Sequence, residues 1–311
     1  MALLEGIHVP LVTPFTPAGE LAGEALEGLA HRLLDDGAAG LVALGTTGEP
    51  AALDEAERRA VIAICARVCR ERGAALTVGA SGGDTRGALR ALDGLRRWPE
   101  AVAALVPVPA FTRPGEAGVL AHFARLAAES PVPLIVYHIP YRTGQPLGAA
   151  ALGRIVRLPG VAGVKYATGV LDQETVAFLG DRPEDCAVLA GDDAFLSPLL
   201  ALGAAGGIPA SAHLGTARFV ELTGHWRAGR VAEARALGHR LAALSAAAFA
   251  VPNPAVVKGV LHALGRIPSP AVRLPLLPAG SASVAALGAL AGELDEGPAV
   301  QQADRLAVHP G

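Results

Sequence analysis

The chain has 311 residues, a formal net charge of −3 and 51% hydrophobic side chains. That length and apolar content allow a large buried core, while the scattered arginines and slightly acidic balance exclude the basic footprint of a nucleic-acid binder. Cys65, Cys69 and Cys186 fit neither metal-ligand nor disulfide spacing and read as core thiols; with no leader pattern at the start, the expected compartment is a reducing cytoplasm.

In chain order, Ile7–Val12 is predicted as a strand, followed by a helix over Gly23–Asp35 that stops at Gly37. Gly40–Leu44 is the second strand. The next helix has Asp54 as N-cap, Glu57 three positions on, and Val61, Ile64, Cys65 and Val68 on one face. Ala75–Gly79 precedes a helix opened by Asp84 and running toward Trp98, and Val102–Val106 precedes one over Glu116–Ala128. Pro133–Tyr137 leads through a loop to a helix near Leu147–Val156. Val161–Lys165, Ala187–Ala190 and Gly206–Ile208 are strands six to eight. Ala194–Ala212 is uncharged and long enough to span a bilayer, but Pro198, Gly203, Gly206, Gly207 and Pro209 divide it into a short helix and a strand, so no membrane segment is expected.

Continuous apolar strands alternating with amphipathic helices predict an α/β fold, a (β/α)8 TIM barrel; an open doubly wound sheet is the runner-up, without a GxGxxG turn to support it. After strand eight, Ala217–Arg227, Val231–Phe249 and Val256–Leu264 predict helices with no strand between them, with Trp226, Leu237, Leu241 and Leu244 as packing anchors. The expected division is a barrel over 1–228 carrying the active site, a helical subdomain over 229–295 and a flexible tail over 296–311.

Of 26 Lys and Arg residues only two are lysines, Lys165 and Lys258. Lys165 ends an apolar strand, where an amine can lose its proton and attack a carbonyl, which a guanidinium cannot; the alternative is a strand-end lysine reaching for solvent or a carboxylate. A parallel barrel collects its active-site groups at the carboxyl ends of the strands. There the sequence places Thr46 and Thr47, Tyr137, Lys165, Gly191-Asp192-Asp193 and Ile208. An amine, a phenol, paired hydroxyls and glycine amides suit imine chemistry on a 2-oxo acid. Each piece has a plainer alternative: a capping turn for Thr46-Thr47, a core tyrosine for Tyr137, and a helix cap or metal contact for Asp192 and Asp193. His138 and His213 read as supporting or surface residues.

Gly45-Thr46-Thr47-Gly48-Glu49, Tyr137-His138-Ile139-Pro140-Tyr141-Arg142-Thr143-Gly144 and Gly163-Val164-Lys165-Tyr166-Ala167-Thr168-Gly169 resemble the signatures of the dihydrodipicolinate synthase / N-acetylneuraminate lyase superfamily, class I pyruvate-dependent aldolases. Val12-Thr13-Pro14-Phe15, Leu189-Ala190-Gly191-Asp192-Asp193, Asn253-Pro254, Val257-Lys258 and Arg273-Leu274-Pro275 extend the likeness over nearly the whole chain.

The resemblance implies that Lys165 forms an imine with pyruvate, that Tyr137 gives and takes protons, and that Thr46 links Tyr137 to a relay. It also implies that Thr47 and the backbone near Ile208 and Gly191 hold pyruvate, and that Arg142 receives the carboxylate of the aldehyde partner, as in the synthase branch. It implies no cofactor, small-molecule partners (a 2-oxo acid and an aldehyde) and a homo-oligomer, dimer or tetramer. Three departures bear on the substrate. Phe111 stands where the synthase branch has a tyrosine that reaches the neighbouring subunit's site, removing one hydroxyl from the relay; His138 replaces an asparagine and Tyr166 an acidic or polar residue. Three readings follow: 4-hydroxy-tetrahydrodipicolinate synthase for lysine biosynthesis, an aldolase or dehydratase acting on a sugar acid or other 2-oxo acid, and a 2-oxo-acid-binding barrel without turnover.

Overall fold

The computed structural model describes residues 4–295, so the tail expected from residue 296 onward lies outside the described residues. Short apolar segments with period-two alternation form eight parallel strands: β1 Gly6–Pro10, β2 Gly40–Ala43, β3 Ala75–Gly79, β4 Ala101–Pro107, β5 Leu134–His138, β6 Val161–Tyr166, β7 Ala187–Ala190 and β8 Gly206–Gly207. They pair in sequence order, and β8 returns to β1 to close a barrel. The alternation divides the apolar side chains in two. Val42, Leu105, Ile135, Leu189 and Ile208 fill the lumen. Ile7, Val9, Leu41, Leu76, Val136, Val164 and Val188 face the helices.

The covering helices are α1 Gly23–Asp35, α2 Glu55–Arg72, α3 Thr85–Asp93, α4 Gly115–Glu129, α5 Pro140–Thr143, α6 Ala149–Val156, α7 Gln173–Asp181 and α8 Leu196–Ala201. Local chemistry sets their starts. Asp54 accepts from the Glu57 amide at 2.8 Å while Glu57 accepts from the Asp54 amide at 3.0 Å, the reciprocal cap expected for α2. Asp84 caps α3 through the Gly87 amide at 2.7 Å. Cys65, Cys69 and Cys186 are free and buried, and burial raises all three thiol pKa values, which keeps them unreactive.

Beyond the barrel, α9 Thr216–Arg227, α10 Val231–Ala248 and α11 Ala255–Ala263 match the expected helices within a residue or so. Leu237, Leu241 and Leu244 are buried as anticipated. Trp226 is only partly buried, its indole Nε1 donating to Ser197 Oγ at 3.0 Å. A further helix, α12 Ser281–Asp295, and the single turn α5 had no counterpart among the predicted elements. No described helix is long and apolar enough to cross a membrane.

Among the described residues three histidines are buried, and of the two readings open for His138 and His213, supporting or surface, burial leaves the supporting one. His213 Nε2 accepts from the Val12 amide at 3.2 Å while Nδ1 lies 2.8 Å from the Ala210 carbonyl, so a neutral ring with the proton on Nδ1 ties the end of β1 to the turn after β8. His138 lies in the wall beside Tyr166, ring centroids 5.9 Å apart. His8, on β1, presses against β2: a Cβ at position 40 would lie 2.6 Å from His8 Nδ1, so only Gly40 fits there. The Glu5 backbone is close enough to pull the His8 pKa up slightly but closes no hydrogen bond of normal geometry.

Burial lowers the pKa of each of the three to about 4. A group depressed in the folded state contributes fully above its unfolded pKa near 6.5 and loses that contribution as pH falls toward 4. His8→Leu is therefore expected to reduce the loss of stability between pH 7 and pH 5 by about 2 kcal/mol. Urea unfolding at the two pH values measures it; an unchanged difference refutes the assignment.

Candidate active site

The strand register sets Tyr137 of β5 beside Lys165 of β6. Both side chains enter the lumen near its carboxyl end, with the Lys165 Nζ 4.5 Å from the centre of the Tyr137 ring. Lys165 is 6% exposed and burial lowers its pKa to about 8; Asp193 and Asp192 oppose that shift and Arg142 adds to it. At pH 7 roughly a tenth of the molecules then carry a neutral amine, against a few in ten thousand for an exposed lysine. Desolvation acts in the opposite sense on the Tyr137 phenol, raising its pKa to about 12, while Arg142 and a hydrogen bond to the Thr46 side chain pull it back. Tyr137 is therefore protonated at rest and able to donate.

Gly191 makes room for the amine. It follows β7, its amide donates to the Tyr166 carbonyl at 2.7 Å, and a Cβ there would fall 2.9 Å from Lys165 Cγ and 3.0 Å from Cε. Thr46 and Thr47 occupy a single 3₁₀ turn, Thr46–Gly48, after β2. Thr46 and Tyr137 line one small cavity with Gly45, Leu105 and Pro107. Thr47 is buried, and its Oγ1 accepts from Asn253 Nδ2 at 2.9 Å, which leaves the hydroxyl proton free to donate. Ile208 is buried in the lumen, its amide donating to the Ala190 carbonyl at 2.8 Å. Arg142 lies in α5 on the rim, exposed, with its charge acting on both Tyr137 and Lys165.

Lys165, Tyr137, Thr46, Thr47, Gly191, Ile208 and Arg142 thus gather at one mouth. Phe111 does not join them: in the loop between β4 and α4 it is 96% exposed with φ 64°. A larger cleft between α2 and α3, lined by Arg58, Arg90 and Trp98, does not include Lys165.

The alternative of a helix cap for the acidic pair is corrected. The Asp192 oxygens accept from Tyr141 Oη at 3.2 Å and the Gly169 amide at 2.6 Å. Asp193 Oδ2 accepts from both the amide and the hydroxyl of Ser211, at 2.7 and 2.6 Å. Neither carboxylate caps the turn that follows. The other functional-looking motif residues form a support beneath the threonines. Lys258 Nζ donates to Glu49 Oε1 at 2.8 Å and the Thr13 carbonyl at 2.9 Å, over the Phe15 ring at 4.2 Å. The Arg273 amide donates to Glu49 Oε2 at 2.8 Å, and its guanidinium engages Glu57 at 2.5 and 2.6 Å. Lys258 is therefore an ion-pair partner and no rival to Lys165. Sequence reasoning assigned no role to Asn253, Glu49 or Lys258; their presence within quoted motifs was the available signal.

Known proteins resemble this chain over most of its length. A 4-hydroxy-tetrahydrodipicolinate synthase of Nitratidesulfovibrio vulgaris (strain Miyazaki F) is 38% identical over 277 residues, covering 88% of this chain and 92% of that one. The dihydrodipicolinate synthase of Thermotoga maritima superposes with a TM-score of 0.89 at 29% identity, over 94% of this chain and 99% of that one. The chloride-inhibited enzyme of Acinetobacter baumannii, solved with pyruvate, gives a TM-score of 0.88 at 29% identity, with the same coverage. The model of the dihydrodipicolinate synthetase family matches residues 3–293, and with the barrel, the lysine and the tyrosine in place the chain belongs to that family.

Proposed function

We infer that the chain is a Schiff-base-forming lyase, a class I aldolase of the 4-hydroxy-tetrahydrodipicolinate synthase type that condenses pyruvate with aspartate semialdehyde in lysine biosynthesis. The observation that carries this reading is a desolvated Lys165 amine 4.5 Å from the ring of a protonated Tyr137. The neutral amine attacks the C2 carbonyl of pyruvate; amine, ketone and one proton give an iminium and water. Thr47, whose proton is free, and the backbone near Ile208 and Gly191 hold the pyruvate carboxylate. Tyr137, having given its proton to the departing water, takes back a methyl proton to give an enamine, whose carbon attacks the aldehyde. Tyr137, backed by Thr46, supplies the proton to the new alkoxide. The amine of the incoming partner finally displaces Lys165 from the product iminium and frees it. Arg142 on the rim offers a planar fork to a carboxylate on the incoming aldehyde.

The reaction needs no cofactor, since the covalent link to Lys165 supplies the electron sink. The reading includes a cytoplasmic homo-oligomer, dimer or tetramer, and the fully projecting Phe111 ring supports a surface where subunits meet. Borohydride reduction in the presence of pyruvate tests the chemistry: a mass increase on Lys165 is expected, and its absence overturns the reading. Turnover across aldehyde partners then tests the substrate. Phe111→Tyr restores the hydroxyl missing from the loop and is expected to raise condensation with aspartate semialdehyde, toward the roughly hundredfold that a positioned proton-transfer group contributes. No gain points to a different native aldehyde.

A further inference from the structure

From the β7 turn that abuts the Lys165 stem runs a chain of polar side chains that the condensation does not require for binding either substrate. The turn after β7 is pinned against the lysine stem by Gly191, and Asp193 follows two residues later, 5% exposed. Its Oδ2 is held by the Ser211 amide at 2.7 Å and the Ser211 hydroxyl at 2.6 Å. Its Oδ1 is buried and takes no hydrogen bond. Ser211 Oγ lies 3.0 Å from Ser245 Oγ on α10, and Ser245 Oγ also reaches the Leu241 carbonyl at 2.7 Å. A carboxylate with one oxygen doubly bonded and the other bare, sealed from water, needs a positive partner or a proton.

We propose that Asp193 is the positioning residue that governs Lys165: a buried carboxylate, anchored by Ser211 and braced by Ser245, that serves as counter-charge to the ammonium and then to the iminium formed from it. The proposal rests on the imine chemistry inferred above.

The charges that bear on this pair are few. The charges acting on Lys165 are Asp193 and Asp192 of the β7 turn and Arg142 of α5, none of which closes an ion pair with it, and its Nζ lies over the Tyr137 ring of β5; those acting on Asp193 are Lys165 and Asp192. Among the charges, Lys165 is the strongest on Asp193 and Asp193 the strongest on Lys165. Burial raises the Asp193 pKa to about 6, with both Ser211 hydrogen bonds and Lys165 opposing, so the carboxylate is mostly ionised at neutral pH. Asp192 is a weaker candidate because it spends its oxygens on Tyr141 and Gly169. Ser211 is the tuning contact: without its hydroxyl the carboxylate keeps one donor, the amide, and protonates more readily.

The test is the pH dependence of borohydride trapping of pyruvate on Lys165, read by mass in the full chain. Removing the counter-charge favours the free amine, so Asp193→Asn is expected to move the acidic limb of trapping down by about one pH unit. Ser211→Ala should move it the same way by less, and Asp192→Asn by less than Asp193→Asn. Wild-type protein that fails to trap pyruvate sinks the underlying chemistry and this proposal with it. Wild-type trapping with variant profiles that superpose, or that move to higher pH, overturns the proposal alone. If Asp193→Asn does not fold, the direction of the Ser211→Ala shift decides.

Discussion

Lys165→Arg abolishes turnover, with kcat falling by about four orders of magnitude or more, and it does so while keeping positive charge at the end of β6. A guanidinium stays protonated throughout the pH range of enzyme catalysis and cannot add to a carbonyl. Lys165→Ala has the same outcome for the simpler reason that no nucleophile remains. The pair separates covalent catalysis from electrostatic help: a barrel that used the lysine only as a cation would recover much of its rate in the arginine variant. Steady-state kinetics with pyruvate and aspartate semialdehyde, together with loss of the reduced adduct, measures the effect. Turnover retained by either variant shows that the amine is not the nucleophile.

Lys258→Met is expected to cost about 3–5 kcal/mol of stability, because it strands a buried carboxylate. The Lys258 and Glu49 side chains are 0% and 2% exposed, and burial lowers the lysine pKa against the opposing pull of Glu49. Glu49 would keep only the Arg273 amide as a donor. The double variant Lys258→Met with Glu49→Gln removes both charges and should recover part of the loss, as replaced buried pairs commonly do. Chemical unfolding of the three variants measures the coupling. A single-variant loss below about 1 kcal/mol, the range of an exposed pair, contradicts this account. The loss should also reach activity, since Glu49 adjoins the turn that carries Thr46 and Thr47.

The barrel was legible because its signals are local. Apolar runs of four to seven residues in the first seven strands, caps such as Asp54 with Glu57, and stops such as Gly37 each act within a few positions, and the strand ends then named the site. Helix α12 escaped because its alanines, glycines and leucines form no clear apolar stripe against a polar face. The plainer alternative for the acidic pair after β7, a local cap, failed for a related reason. A neighbouring helix start offers an obvious local partner, but the groups that claim these carboxylates, Tyr141 and Ser211, lie 51 and 18 residues away in the chain. His138 and His213 stayed undecided between supporting and surface roles because burial of a neutral ring depends on what packs against it, which spacing does not reveal. Asn253 and Thr47 meet across 206 residues, a pairing that only the closed fold supplies.

The disparity between the two lysines has an experimental use. One ε-amine is clasped by Glu49 and the Thr13 carbonyl, the other stands in the mouth beside a phenol. A sample enriched with nitrogen-15 in lysine alone carries just two side-chain resonances, and only the one from the mouth should move when a keto acid is titrated in. The protein therefore comes with its own spectroscopic reporter of covalent occupancy, requiring no engineered label.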